Sequence, residues 1–461
     1  MKILRAAFYT LGCKLNQLET ESIVDRFSEA GAAVVGQDDE ADIYLVNTCT
    51  VTSKAEQKAR RVIRQALARN AQAVVLATGC YAQMEPEGIS TLGERVFVVS
   101  GDDKAILLSL ASWLHDNWQG HGDLFDAVKE WKAGLDGKED RFSFHPGSFS
   151  LHSRPSLKVQ DGCDNRCTYC RVCIARGPSI SLDPAAALER AKRLEEAGKA
   201  EIVLTGVNLS QYRHGDTDFP RLLTLLMEST SSIRFRISSY EPEKINPAFL
   251  EAFSHPRVQP HVHLAAQSGS TPVLNRMARP YRAEKILQAV KALRAAKDDP
   301  FIAADIIAGF PGETDEEFAD TLSLCRSLDL AWIHAFPFSA RPGTRAFDMK
   351  PRIPERIAGE RTRALGTLAR EGKSRYVGRW IGRSVEVILE KDGNREGESG
   401  VYVGGTSENY LKVLVCKDEM ARRLGGEAGE SGTVLRVVLA PPPANSDADA
   451  AGRPSDCLVL R

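Results

Sequence analysis

The chain has 461 residues, 43 % hydrophobic and 26 % charged, an ordinary globular composition that excludes a disordered or collagen-like protein. That length exceeds a single hydrophobic core, so two or three domains are expected. A formal net charge of −1 gives no global attraction to nucleic acid, so any such contact must come from local patches.

The opening stretch, MKILRAAFYTLGC, lacks a long apolar secretory core, and no run of eighteen apolar residues occurs anywhere. A cytoplasmic protein without membrane contact is expected. In that reducing setting the ten cysteines point to metal or redox chemistry rather than to disulfides.

In chain order, Ala6 to Tyr9, Ile43 to Val46 and Val74 to Ala77 read as short apolar strands. Helical patterns over Glu19 to Ala30 and Lys54 to Arg69 alternate with them. This rhythm predicts an N-terminal α/β domain with a parallel sheet, over residues 1–140. The stretch from Gly101 to Arg154 is less regular and carries Trp113, Trp118 and Trp131; it reads as the end of that domain and a linker with some helix.

From Leu157 the alternation resumes. Leu157–Val159, Ile202–Leu204, Arg234–Ile237, His261–Leu264, Ile302–Ile307 and Trp332–Phe336 are strand candidates. Helices are expected between them at Pro184–Ala197, Phe219–Glu228, Ala283–Lys297 and Glu316–Ser327. Six strands with intervening helices fit an open, partial (β/α)6 barrel over residues 150–375, with functional loops after the strands. Past Tyr376, short strands with Gly-rich turns predict a small β-barrel over residues 376–442, and residues 443–461 read as a flexible tail.

The strongest chemical signal is Cys163-x3-Cys167-x2-Cys170. Iron–sulfur clusters are held by thiolates, normally four for a four-iron cluster, so three leave one iron open. S-adenosylmethionine can chelate an open iron through its amine and carboxylate. Thiols at this spacing would also line one helix face as inert core. Gly162 before them and Asp164-Asn165 inside favour a loop, and the preceding strand places it at a barrel mouth. Cys173 extends the run, and spacing leaves it open as a fourth ligand, part of a zinc site, or neither.

A second, dispersed signal is Cys13, Cys49 and Cys80. Each follows an apolar strand directly, so all three are expected at one edge of one parallel sheet, where α/β ligand sites form. Together they would hold a second cluster; singly, each reads as a buried small hydrophobe. Cys325, Cys416 and Cys457 lack such context.

Both cysteine sets, their order and the trailing barrel resemble the methylthiotransferase family of radical S-adenosylmethionine enzymes over nearly the whole chain. Matching stretches include Glu201-Ile-Val-Leu-Thr-Gly-Val-Asn, Gln267-Ser-Gly-Ser, Asp305-Ile-Ile-Ala-Gly-Phe-Pro-Gly-Glu-Thr and Phe336-Pro-Phe-Ser-Ala-Arg-Pro-Gly-Thr. Gly12-Cys-Lys-Leu-Asn-Gln-Leu-Glu-Thr and Ala175-Arg-Gly look most like the branch that methylthiolates carbon 2 of N6-threonylcarbamoyladenosine at tRNA position 37.

The resemblance implies two [4Fe-4S] clusters, S-adenosylmethionine, a terminal TRAM-type RNA-binding barrel, and a tRNA anticodon stem-loop as partner. A sulfur source and an electron donor of unknown identity are implied as well. Departures are Arg171-Val172-Cys173, where an apolar pair and proline are usual, Ala265-Ala266 in place of a proline-leucine pair, and Arg279-Pro280 near a commonly Arg-rich stretch. For S-adenosylmethionine, Tyr169, Gly206, Glu241 and Gln267 are the candidate contacts, with Gly309-Phe-Pro-Gly-Glu as a loop over the adenine edge. Core packing, a turn or a helix cap explains each of the four nearly as well.

The helix over Lys54 to Arg69 carries Lys54, Lys58, Arg60, Arg61, Arg64 and Arg69 against the single acid Glu56, which suggests phosphate contact. Two competing readings are another acceptor, in tRNA isopentenyladenosine or a ribosomal-protein aspartate, and a non-catalytic iron–sulfur carrier or RNA-binding protein.

Overall fold

The computed structural model describes residues 3–135, 140–147, 153–391, 395–397, 400–417, 431–441 and 458–460. Five short apolar runs build the first sheet: β1 (Arg5–Thr10), β2 (Ala33–Val34), β3 (Ile43–Thr48), β4 (Val74–Gly79) and β5 (Val96–Val98). Their order is β2-β1-β3-β4-β5, and every pairing is parallel. β3 and β4 are buried along their whole length, as strands covered on both faces must be. Helices α1 (Lys14–Glu29), α2 (Ser53–Arg69) and α3 (Cys80–Met84) follow β1, β3 and β4. α1 starts at Lys14, a full turn before the expected Glu19, because Asn16 and Glu19 are buried polar residues that mask its apolar face.

The Trp-bearing stretch after β5 is structured. Its helix Leu124–Ala133 packs Trp131 and Val128 against Phe27, Leu107 and Leu110. A buried side chain of this size contributes roughly 2–3 kcal/mol, which makes this segment part of the first core.

The second unit contains β6 (Ser156–Lys158), β7 (Glu201–Thr205), β8 (Arg234–Ile237), β9 (Ser239–Tyr240), β10 (His261–Gln267), β11 (Phe301–Ala308) and β12 (Trp332–Pro337). They form two parallel groups, β8-β7-β6 and β9-β10-β11-β12, with a parallel bridge from Phe235 to Val258 near the junction. Leu157, Ile202, Leu204, Val262, Leu264, Ala304 and Ile306 face the helices, so the alternate residues line the concave side. Sheet edges at β6 and β12 leave the barrel open.

A helix not expected from the sequence, Glu355–Trp380, packs along β12 and runs past residue 376 into the last unit. There Ser384–Leu389, Gly400–Ser407, Lys412–Cys416 and Val434–Ala440 curl into an antiparallel half-barrel. Tyr410 packs against His261 of β10 with ring centroids 4.2 Å apart and the planes tilted by 37°. Of the expected tail, residues 443–457 and 461 lie outside the described residues; Leu458–Leu460 instead form a strand against Val413–Leu414 and Leu439–Ala440. Among the described residues, no helix is long and apolar enough to cross a membrane.

Candidate functional site

The first cysteine set lies where the strand pattern puts it. Cys13 caps α1 after β1, Cys49 follows β3, and Cys80 opens α3 after β4. All three therefore stand at the C-terminal edge of adjacent parallel strands. Gly12 has a φ of +107°, and a Cβ there would stand 2.9 Å from Cys49 Sγ, so glycine is required for the first loop to approach the second. Cys49 and Cys80 are buried, whereas Cys13 stays accessible. Burial pushes the Cys49 thiol up to about 11.

The second set occupies the loop between the short strand Gln160–Asp161 and the helix α4 (Val172–Arg176). Burial raises Cys163 to about 11 and Cys170 to about 12. N–H donors point at these sulfurs: Val172 N to Cys170 Sγ at 3.4 Å, Asn208 Nδ2 to Cys163 Sγ at 3.8 Å, and Arg279 Nη1 to Cys167 Sγ at 3.1 Å. Such donors stabilise negative charge on sulfur. Cys173 donates to the Cys170 carbonyl at 3.6 Å.

These sets fit iron–sulfur ligation. Every cysteine among the described residues is free, and each set offers three thiols, enough for three of the four irons of a four-iron cluster. Among the described residues, no three Cys, His, Asp or Glu side chains converge closely enough for one bare metal ion.

The two sets face each other across two buried polar junctions. In the first, Arg171 donates to Glu56 Oε1 at 3.2 Å, Glu85 Oε1 at 3.0 Å and Thr50 Oγ1 at 3.3 Å, while Arg341 pairs with the same Glu56. Glu56 is thus a buried hub and not an acid on the exposed face of α2. In the second, Arg176 donates to Glu19 Oε1 at 3.0 Å, Asp161 Oδ1 at 3.0 Å and Asn16 Oδ1 at 2.7 Å. Lys104 and Lys158 complete it, at 2.5 and 3.2 Å from Glu19. Burial alone would raise Glu19, but Arg176, Lys104 and Lys158 outweigh it and hold the carboxyl well below the usual range.

The four residues expected at S-adenosylmethionine do not share one environment. Glu241 is buried beside the cysteine loop, accepts from Asn165 Nδ2 at 3.2 Å and Asn208 Nδ2 at 3.4 Å, and pairs with Arg279. Burial raises it to about 7 against the pull of Arg279. Gln267 ends β10 at a register shift with a φ of 64°, a conformation uncommon outside glycine. Gly206 packs on Gln160, whose Oε1 would be 2.8 Å from a Cβ at that position. The Tyr169 ring packs edge-on to Phe310 of the Gly309–Glu313 loop, with centroids 6.4 Å apart, beside Met277 and Val273.

Asn165, Asn208 and Arg279 were not singled out as site residues by the sequence pattern. Their signals are indirect: Asn165 marks the cysteine loop, Asn208 stands just after a strand in Thr205-Gly-Val-Asn, and Arg279 belongs to a departure from the family pattern.

Comparison with known proteins agrees with this geometry. Residues 5–101 match the family model described as uncharacterized protein family UPF0004, and residues 157–325 match the radical SAM superfamily. The threonylcarbamoyladenosine tRNA methylthiotransferase MtaB of Treponema pallidum (strain Nichols) is 40% identical, over 93% of this chain and 96% of its own length. That of Bacillus subtilis (strain 168) is 35% identical over 88% of this chain and 89% of its own. A tRNA-2-methylthio-N(6)-dimethylallyladenosine synthase of Thermus thermophilus is 31% identical over 89% of this chain and 86% of its own. Among solved structures, the radical S-adenosylmethionine methyltransferase TsrM of Kitasatospora setae shares the fold, with a TM-score of 0.51 at 14% identity, covering 75% of this chain and 77% of that chain. With relatives this similar along nearly their whole length, the chain belongs to the radical S-adenosylmethionine methylthiotransferase family.

Proposed function

We propose that the chain methylthiolates carbon 2 of N6-threonylcarbamoyladenosine at position 37 of tRNA. The observation that carries this reading is the meeting of two cysteine triplets across the Arg171 and Arg176 junctions. Cys163, Cys167 and Cys170 hold one [4Fe-4S] cluster with an iron open to S-adenosylmethionine, and Cys13, Cys49 and Cys80 hold the second. When bound, these groups supply a 5′-deoxyadenosyl radical and a methylthio sulfur.

The chain's own part is orientation and exclusion of water. Asn208 and Arg279 fix the Cys163 and Cys167 sulfurs, while Glu241 anchors Asn165, Asn208 and Arg279 at one point. Glu241 and Gln267 are the polar groups for the cofactor's ribose and carboxylate, with Gly206 and Tyr169 shaping its pocket. The C-terminal half-barrel serves as a TRAM-type RNA-binding unit. On α2, Lys54, Lys58, Arg61 and Arg64 are exposed and suited to phosphate. The reaction consumes an external reductant and a sulfur source, in the cytoplasm where charged tRNA pools reside.

The test is turnover by the reconstituted protein on two anticodon stem-loops, one with the threonylcarbamoyl group and one with dimethylallyl. Methylthio product on the first RNA supports the reading. Product on the second alone would contradict it.

A further inference from the structure

We infer that Lys14 forms a carboxylate-binding site that reads the threonyl end of the modified nucleoside, an inference that rests on the substrate proposed above. A cavity of about 280 Å³ lies where all three units meet, lined by Lys14, Arg154, Ser156, Val203, Tyr410 and Lys412 among others. Ser156 and Val203 alternate with Leu157, Ile202 and Leu204, which face the helices, so the cavity opens on the concave side of the barrel.

The cations around it differ in their commitments. Lys412 is held by Glu390 at 2.6 Å, and Arg154 is shared between Glu390 at 3.1 Å and Glu201 at 3.7 Å. Among the described residues, the Lys14 ammonium makes no hydrogen bond or ion pair, and its contact is the Tyr410 ring face at 6.0 Å. The Tyr410 phenol and the Glu201 carboxyl attract this ammonium without forming an ion pair or hydrogen bond with it, so its donors are free for a negatively charged ligand. Gln17, three residues on along α1, lines the same cavity and adds an amide for a neutral polar group.

Position selects the ligand. Lys14 directly follows Cys13, the first thiol of the proposed second cluster. The threonylcarbamoyl group carries a carboxylate about seven bonds from the reacting carbon 2, whereas a dimethylallyl group carries none. A site of this kind therefore separates the two nucleosides by charge, since a sheltered cation left unpaired rejects the apolar analogue.

The experiment uses two anticodon stem-loops that differ only in the threonyl terminus, one the free acid and one its carboxamide. For wild type, kcat/KM in the reconstituted enzyme and Kd in the iron-free full chain should both favour the acid, by about 10- to 100-fold. In Lys14→Met that preference should collapse toward one, and Lys14→Arg should restore part of it. Iron content and thermal unfolding of each variant show whether the fold is kept. An acid preference that persists in Lys14→Met would overturn the inference, as would equal weakening of both RNAs, the mark of a backbone phosphate contact. If wild type binds acid and amide alike, the inference fails even where turnover proceeds; absence of turnover with a Lys14-dependent acid preference would instead fail the proposed reaction.

Discussion

Arg171 follows Cys170 in the chain, and its guanidinium donates to Glu56 Oε1 at 3.2 Å across the interface between the two cysteine-bearing units. Thr50, the neighbour of Cys49, accepts from the same guanidinium at 3.3 Å. The spacing between the two thiol sets is thereby tied to one buried cation. Arg171→Met should leave S-adenosylmethionine cleavage largely intact while methylthio transfer falls. The 5′-deoxyadenosine formed per modified nucleoside should rise about tenfold, because small misplacements of reacting groups are expensive. Stability should drop by about 1–3 kcal/mol, since Glu56 keeps Arg341. Parallel chromatography of both products measures the ratio; an unchanged ratio would show that the clamp does not set the geometry.

Acid sensitivity should follow Glu201, at the base of β7. Burial pushes its carboxyl up, but Arg236, donating at 2.6 and 2.9 Å, overcomes that and holds it below the ordinary range near 4.5. A depressed folded pKa means the stabilisation is complete above about 4.5 and is lost as pH falls below it. Glu201→Gln should be less stable than wild type at neutral pH, with the gap closing as acid is added. Denaturant titrations at pH 7 and below pH 4 test the sign.

The Cys173 thiol is engaged with the Cys170 carbonyl. Cys173→Ala should therefore retain the iron and absorbance of the radical-site cluster, whereas Cys167→Ala should lose them. Loss of iron in Cys173→Ala would make it a ligand.

Of the six basic residues on α2, Arg60 is tied to the Tyr81 hydroxyl at 2.5 Å and Arg69 to Asp38 at 2.5 Å. The exposed Lys54, Lys58, Arg61 and Arg64 are the ones suited to RNA. Replacing one of these four by alanine should weaken tRNA binding and reduce the salt slope of log K by about one, whatever the RNA sequence. The same change at Arg69 should leave the slope as it was.

Strands and cysteine loops were legible because their signals are local: apolar runs of four to eight residues, each ended by a cysteine. The family resemblance added what spacing could not, the pairing of the two thiol sets. The helix Glu355–Trp380 was not legible because its buried face includes Arg361, Lys373 and Gly372, which break the apolar period. Glu56 read as a lone acid on a basic helix, since its partners Arg171 and Arg341 lie 115 and 285 residues away. Contacts of that kind leave no trace in a local pattern. Lys14 escaped notice for a related reason, because its environment is assembled from three units.

The most direct test of the reaction is nucleoside mass spectrometry of tRNA from a strain lacking the gene, complemented with the wild-type chain, Cys80→Ala or Cys167→Ala. Methylthio-threonylcarbamoyladenosine should vanish in the deletion, return with the wild type and stay absent with either variant, while threonylcarbamoyladenosine accumulates. Unchanged levels of the methylthio nucleoside in the deletion strain would contradict the proposed function.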